Sequence, residues 1–270
     1  MIILHISDIH FRNTYKECGE GYGGVLYAMR NPLISLGICL ERAFAECRNQ
    51  GKRPDLIAIS GDLCEDGDEE DYRALRTFIY EKAAGVPVAV TLGNHDSKQS
   101  FRAGWLGEEG TQPYNWTQTF GDTCFISLDN SVQGNPNGDF VAGQIEWLRA
   151  TLAAAGERQT VLMTHHHMIP YQGPVLPVKC SGEFLELIRK SQISCILCGH
   201  THHNFEGLLA DKPCFTVDGM SFYGENLDNG AVRFREKFGY SLIVLDQGRV
   251  LERRIETFDT GRLLGEFFWK

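Results

Sequence analysis

Met1-Ile2-Ile3-Leu4-His5-Ile6-Ser7-Asp8-Ile9-His10 opens the chain, and its reading decides the fold. The apolar run Ile2 to Ile6 reads as a buried strand that ends in a carboxylate and an imidazole two residues apart. Working outward, the same pattern recurs. Leu56 to Ile59 precede Gly61-Asp62, and Val86 to Leu92 precede Gly93-Asn94-His95-Asp96. Thr160 to Thr164 lead into His165-His166-His167, and Ile193 to Leu197 into Gly199-His200-Thr201-His202. Cys124 to Leu128 is a further run of the same kind. Amphipathic stretches around Leu33 to Cys47, Glu69 to Ala84, Ala142 to Ala154 and Glu183 to Lys190 lie between them. Strands alternating with helices predict an α/β fold of βαβ units. Runs at Cys214 to Val217, Tyr240 to Leu245 and Val250 to Phe258 predict a second sheet or an edge. With no linker, repeat or low-complexity segment, residues 1–270 are expected to form a single domain.

Two segments stand outside this scheme. Arg12 to Asn31 is a Gly-rich connection, long for a loop between strand and helix, and it leaves the run that carries Asp8 and His10. It is expected to lie near the active site and shape specificity, a surface excursion or dimer contact being the alternative. The tail, residues 259–270, is rich in aromatics and is expected to dock on its own chain, with a subunit interface, and so a possible homodimer, as the other reading.

Composition bounds the function. The 270 residues are 43% hydrophobic and 23% charged, ordinary for a globular chain that buries about three-quarters of its unfolded surface. A formal charge of −9 argues against a general binder of nucleic acid or anionic membranes, yet leaves room for an anionic substrate beside bound cations. Nine cysteines without a framework spacing, and an N-terminus that lacks the features of a signal peptide, predict a reduced, cytoplasmic protein. No apolar run approaches the ~20 residues of a membrane helix. Cys195 and Cys198 form a C-x-x-C inside an apolar run, which reads as a buried strand rather than a redox turn.

Histidines gather where the chemistry should be. Eight of the nine follow predicted strands: His10, His95, His165, His166, His167, His200, His202 and His203. Functional residues of α/β sheets sit in loops at the carboxyl ends of strands, so these clusters should converge. Residues two apart in an extended chain share a side, so Asp8 with His10, and His200 with His202, are each able to chelate. Each motif alone has a plainer reading, as an Asp-capped turn, a Gly turn or a helix cap. Asn94 offers a neutral oxygen, His95 is left for a proton or hydrogen bond, and Asp96 is placed to fix the tautomer of that imidazole. The donor set mixes oxygen and nitrogen without thiolate and is too large for one ion. Two ions sharing a carboxylate, ~3.5–4 Å apart, suit in-line displacement at phosphorus.

In this order, Asp8-x-His10, Gly61-Asp62, Gly93-Asn94-His95-Asp96, His166 and Gly199-His200-x-His202 resemble the calcineurin-like metallophosphoesterases. Ser127-Leu128-Asp129-Asn130-Ser131, Gly138 and Gln144-x-x-Trp147-Leu148 resemble the class III cyclic-nucleotide phosphodiesterases and related glycerophosphodiesterases. This second likeness does not cover the loop Arg12 to Asn31 or the tail. The resemblance implies a metallophosphoesterase-like four-layer sandwich of two mixed β-sheets flanked by α-helices. It implies one metal on Asp8, His10, Asp62 and His202, and a second on Asp62, Asn94, His166 and His200. Manganese, iron and zinc all suit such donors. His166 is chosen by spacing, because Met168-Ile169 separate the run from Pro170; His165 is the alternative and His167 a substrate contact. His95 would donate to the phosphate or act as general acid. The expected activity is metal-dependent hydrolysis of a small phosphodiester. A phosphomonoesterase or nuclease, and a non-catalytic interaction module, are the other readings.

Overall fold

Along β1 (Ile2–Ile6) every residue is buried, yet its side chains face two different layers. Ile2, Leu4 and Ile6 join a core with Leu36, Leu40, Leu75 and Ile79, while Ile3 turns into a core with Phe125, Val161 and Leu197. A strand covered on both faces needs no polar alternation, which is why this stretch is apolar almost throughout. The structure is a computed structural model and describes residues 1–170 and 175–268.

After β1 come α1 (Gly21–Ala28), α2 (Pro32–Asn49), β2 (Leu56–Ser60), α3 (Glu69–Ala83), β3 (Val88–Thr91) and the single turn α4 (Lys98–Phe101). Next are β4 (Trp116–Phe120), β5 (Thr123–Ser127), α5 (Gln144–Ala155), β6 (Thr160–Met163), α6 (Gly182–Lys190) and β7 (Ile193–Cys198). The chain closes with β8 (Phe205–Leu209), β9 (Lys212–Thr216), β10 (Tyr223–Asn226), β11 (Val232–Asp246) and β12 (Arg249–Phe267). One sheet has the order β10-β11-β1-β2-β3, with β12 also paired to β11; the other runs β4-β5-β6-β7-β9-β8. Both are mixed. β1, β2 and β3 are parallel and β11 is antiparallel to β1. β5, β6, β7 and β9 are parallel, with β4 and β8 antiparallel at the edges.

Helices α2 and α3 cover the outer face of the first sheet, and α5 and α6, through Leu148, Leu152, Phe184 and Ile188, that of the second. The inner faces meet through Ile3, Leu56, Ala58 and Ala89 against Phe125, Val161, Met163 and Leu197. These are the four layers expected. Among the described residues, no single helix is long and apolar enough to cross a membrane.

The late runs divide between the sheets rather than forming one of their own: β9 joins the second, β11 and β12 the first. The Gly-rich connection contains α1, whose Val25 packs with Phe222, Phe234, Leu264 and Phe267. The tail thus docks on its own chain, with Phe267 paired to Val232; Trp269 and Lys270 lie outside the described residues. Cys195 and Cys198 lie within buried β7, and all nine cysteines are free.

Candidate metal centre

Because β1, β2 and β3 are parallel, as are β5, β6 and β7, the loops that leave them open at common ends of the two sheets. Asp8 and His10 follow β1, Asp62 follows β2, Asn94 and His95 follow β3, His165 to His167 follow β6, and His200 and His202 follow β7. The chain turns sharply there. Asp8 (φ +56°), His10 (+53°), Asp62 (+48°), His200 (+72°) and His202 (+54°) all adopt left-handed backbone. That conformation is costly for a residue with a Cβ, and five such positions in one place mark a functional site. Two glycines allow the loops to close on one another. A Cβ on Gly93 would stand 2.1 Å from Asp62 Oδ1, and one on Gly199 would stand 1.9 Å from Ser7 Oγ and 2.8 Å from Asp8 Oδ2.

The donors fall into two groups. Asp8, His10 and His202 bring ligand atoms within 4.8 Å of one another, as do His165, His166 and His200. In the first group His10 Nε2 lies 3.1 Å from His202 Nε2, and His202 Nε2 lies 3.3 Å from Asp8 Oδ1. Asp62 stands between the two. Its Oδ2 is 3.7 Å from His10 Nε2 and 3.2 Å from His165 Nε2. The turns, not an extended chain, separate His200 from His202 and send them to different groups.

Several of these atoms lack partners. Asn94 Oδ1 and His166 Nε2 are buried without a hydrogen bond among the described residues, and His165 Nε2 has only the Asp62 carboxylate beside it. Buried polar atoms are almost always paired, so a cage of converging, unpartnered nitrogen and oxygen donors fits bound cations. Protonation differs among the donors: nearby carboxylates raise the pKa of His165 to about 9 and also raise that of His202, so a cation there would displace a proton. Burial, reinforced by neighbouring imidazoles, holds His166 and His200 well below the usual histidine range, so both stay neutral and free to ligate. For Asp62, burial favours the neutral acid, but the charges of His165, His95 and His10 prevail and keep it ionised.

A second set of contacts aims the imidazoles. His165 Nδ1 is 2.7 Å from Ser60 O, His202 Nδ1 is 2.7 Å from Phe222 O, and His10 Nδ1 is 2.6 Å from Glu65 Oε2. Each leaves Nε2 turned inward. Glu65 also lies 3.1 Å from His95 Nδ1 through its other oxygen. Its placement corrects the expected role of Asp96. Asp96 accepts the backbone N–H groups of Leu63, Cys64 and Gly93 and the Tyr72 hydroxyl, so it braces the loops and leaves His95 to Glu65. Sequence reading missed Glu65, which sits in the acidic stretch Glu65-Asp66-Gly67-Asp68-Glu69-Glu70 that leads into α3. Its one signal was its place three residues after Asp62, in the same loop.

His95 differs from the donors. Its side chain is 27% exposed, against 2% for His10 and 0% for His165. Its backbone N–H bonds Asp62 Oδ1 at 2.9 Å. Burial opposes its charge, but Asp62 and Glu65 prevail and raise its pKa to about 10. His167 is fully buried, its ring 6.3 Å from that of His200, and burial lowers its pKa to about 4. The ninth histidine, His5, is buried in β1 with Nε2 2.8 Å from Ser60 Oγ and belongs to neither donor group. From α1, Tyr22 places its hydroxyl 3.4 Å from Glu65 Oε2 and its ring 6.3 Å from that of His95, so the Gly-rich connection does return to this region.

Residues 1–204 match the family described as calcineurin-like phosphoesterase. The chain is 31% identical over 233 residues to a cAMP/cGMP dual specificity phosphodiesterase of Mycobacterium tuberculosis, a match covering 80% of this chain and 69% of that protein. It is 27% identical over 212 residues to a glycerophosphodiester phosphodiesterase of Enterobacter lignolyticus, covering 75% and 71% respectively. Among solved structures, a hypothetical protein from Thermus thermophilus shares the fold, with a TM-score of 0.53 and 16% identity over 96% of this chain and 99% of that one.

Proposed function

The chain belongs to the calcineurin-like phosphoesterase family, and from that premise we propose that it is a two-metal phosphodiesterase acting on small diesters, of the cyclic-nucleotide or glycerophosphodiester kind. The observation that carries the two-metal reading is Asp62, whose Oδ2 stands between His10 at 3.7 Å and His165 at 3.2 Å. One ion would be held by Asp8, His10, Asp62 and His202, the other by Asp62, Asn94, His200 and one of the three consecutive histidines. His165 and His166 both bring a buried Nε2 to His200. We assign His165 as the ligand, because it also reaches Asp62 and its Nδ1 is tied to Ser60 O. Manganese, iron and zinc suit these donors.

Ions bound there would supply Lewis acidity to the phosphate oxygens and a water activated near neutral pH. The protein's own part begins with His95. With Nδ1 held by Glu65, its Nε2 is the atom free to donate to a phosphate oxygen or to protonate the departing alkoxide. In the metal-free chain Asp62 and Glu65 together raise its pKa to about 10, and Glu65, which is not a ligand, goes on favouring the protonated ring once cations are bound. Glu65 accepts at Nδ1 of both His10 and His95, so one carboxylate aligns a ligand and the proton donor together.

The names of the relatives support a diester substrate. A net charge of −9 speaks against a nuclease, and the filled donor positions speak against a non-catalytic module. The described residues read as one domain, since the layer between the sheets draws side chains from Ile3 to Leu245. The deciding experiment compares bis(p-nitrophenyl) phosphate with p-nitrophenyl phosphate, using protein stripped of metal and reloaded with manganese. Faster turnover of the diester is expected. Preference for the monoester would move the protein to a phosphatase reading, and failure to bind metal would overturn the proposal.

A further inference from the structure

The motif Asp129-Asn130-Ser131, which follows β5, holds none of the proposed ligands, yet its most buried member touches two of the three consecutive histidines. Asn130 is 0% exposed. Its Nδ2 donates to His166 O at 2.9 Å, and its Oδ1 accepts from the backbone N–H of His166 at 3.1 Å and of His165 at 3.3 Å. β6 ends at Met163, so these peptide groups have left the ladder and need partners. A single amide satisfies three of them. A carboxylate could accept both N–H groups but could not donate to His166 O, which is why an amide belongs here.

The loop that carries Asn130 is fixed in turn. Asn130 O accepts from the Asp139 N–H at 3.0 Å. At Gly138 (φ +68°) a Cβ would stand 2.5 Å from the His166 ring and 2.6 Å from Asn130 O, so only glycine lets the loop close over that imidazole. Gln144 Nε2 donates to Asp129 O at 2.7 Å. Asp129 then reaches across to the other sheet. Its Oδ2 pairs with Lys98 Nζ at 2.7 Å, and Lys98, which also donates to Ser131 Oγ at 2.6 Å, opens α4 four residues beyond Asn94. A continuous polar chain therefore links the loop of Asn94, from the first sheet, to the backbone of His165 and His166, from the second.

We propose that Asn130 is a positioning residue for the second metal site: with the Lys98–Asp129 ion pair, it sets the separation between the histidine run and Asn94. This rests on the two-metal reading above. Donor geometry must hold to a fraction of an ångström, and loss of a partner that orients a ligand typically weakens metal binding ~10–100-fold.

The test is calorimetric titration of stripped protein with manganese, alongside the melting temperature of the metal-free forms. Wild type is expected to take two equivalents. Asn130→Ala should bind the first as wild type does and the second at least tenfold more weakly. Asn130→Asp, which keeps both acceptor contacts, should fall between. Lys98→Gln, which removes the charge from the ion pair and keeps the Asn130 amide itself, gives a second route should Asn130→Ala fail to fold, and it should weaken the same equivalent. Unchanged affinities would overturn the proposal, as would equal weakening of both equivalents together with a lower melting temperature, the mark of a merely structural role. A wild type that binds fewer than two equivalents would instead remove the two-metal reading itself, and this inference with it.

Discussion

Replacing Glu65 with Gln tests the arrangement at its most economical point, because the change is nearly isosteric and removes only charge and symmetry. The Glu65 side chain is 4% exposed, and it meets His10 Nδ1 at 2.6 Å through one oxygen and His95 Nδ1 at 3.1 Å through the other. His10 presents Nε2 to the donor group, so its Nδ1 carries the proton and needs an acceptor; His95 is in the same position. A carboxylate accepts from both rings, whereas an amide accepts from one and turns its NH2 toward the other. A buried donor facing a donor costs about 1–3 kcal/mol, which at about 1.4 kcal/mol per tenfold is roughly a 5- to 150-fold loss. If the amide oxygen stays with His10, metal content is kept and kcat falls by that factor, because His95 is misaligned. If it stays with His95, the first ion is lost more readily. The assay is turnover of bis(p-nitrophenyl) phosphate with metal content measured on the same sample. Turnover within twofold of wild type, with both ions retained at wild-type affinity, would refute the role given to Glu65.

Other perturbations separate the remaining parts of the site. Asp62→Ala should abolish turnover and weaken both manganese equivalents in calorimetry, since its carboxylate lies between the two donor groups; full metal content with normal activity would contradict the bridge. His95→Ala should keep its metals and lose ~10²–10⁴-fold in kcat, as expected for a positioned proton donor. The metal-free protein should respond to alkali. The pKa values of His95 and His165 are raised from 6.5 to about 10 and about 9, because nearby carboxylates outweigh burial. Their protonated forms therefore favour the folded state, a contribution complete below pH 6.5 and lost as pH rises through about 9 to 10. The melting temperature of metal-free protein should fall over that window, and a flat profile would count against these couplings.

How much of this was legible in the sequence follows from where the information lies. Strands buried on both faces write themselves as apolar runs, and the metal-competent residues stand directly after them, so the central strands and the donor clusters were readable in one dimension. Even there the cause was only partly visible. Asp8 and His10 converge through left-handed turns at φ +56° and +53°, not because an extended chain places alternate residues on one side. What sequence could not supply depends on partners distant in the chain. Helix α1 is Gly-rich and reads as a loop, and it is Val25 against Phe222 and Phe234 that gives it a reason to form. Asp96 stands next to His95, but neighbours in a tight turn point apart. Its carboxylate gathers amides from the Asp62 loop, while the distant Glu65 takes the imidazole. The assignment proposed among three adjacent histidines is of the same kind. Their chemistry is identical, and what distinguishes His165 is Ser60 O, 105 residues away, holding its ring toward Asp62. Residue type and order thus specify which chemistry is possible, while the assignment of roles waits on contacts between the two sheets. Substitutions at those contacts, Glu65 and Asn130 among them, will therefore report on the mechanism more sharply than removal of the ligands themselves, whose loss any metal-dependent reading would predict.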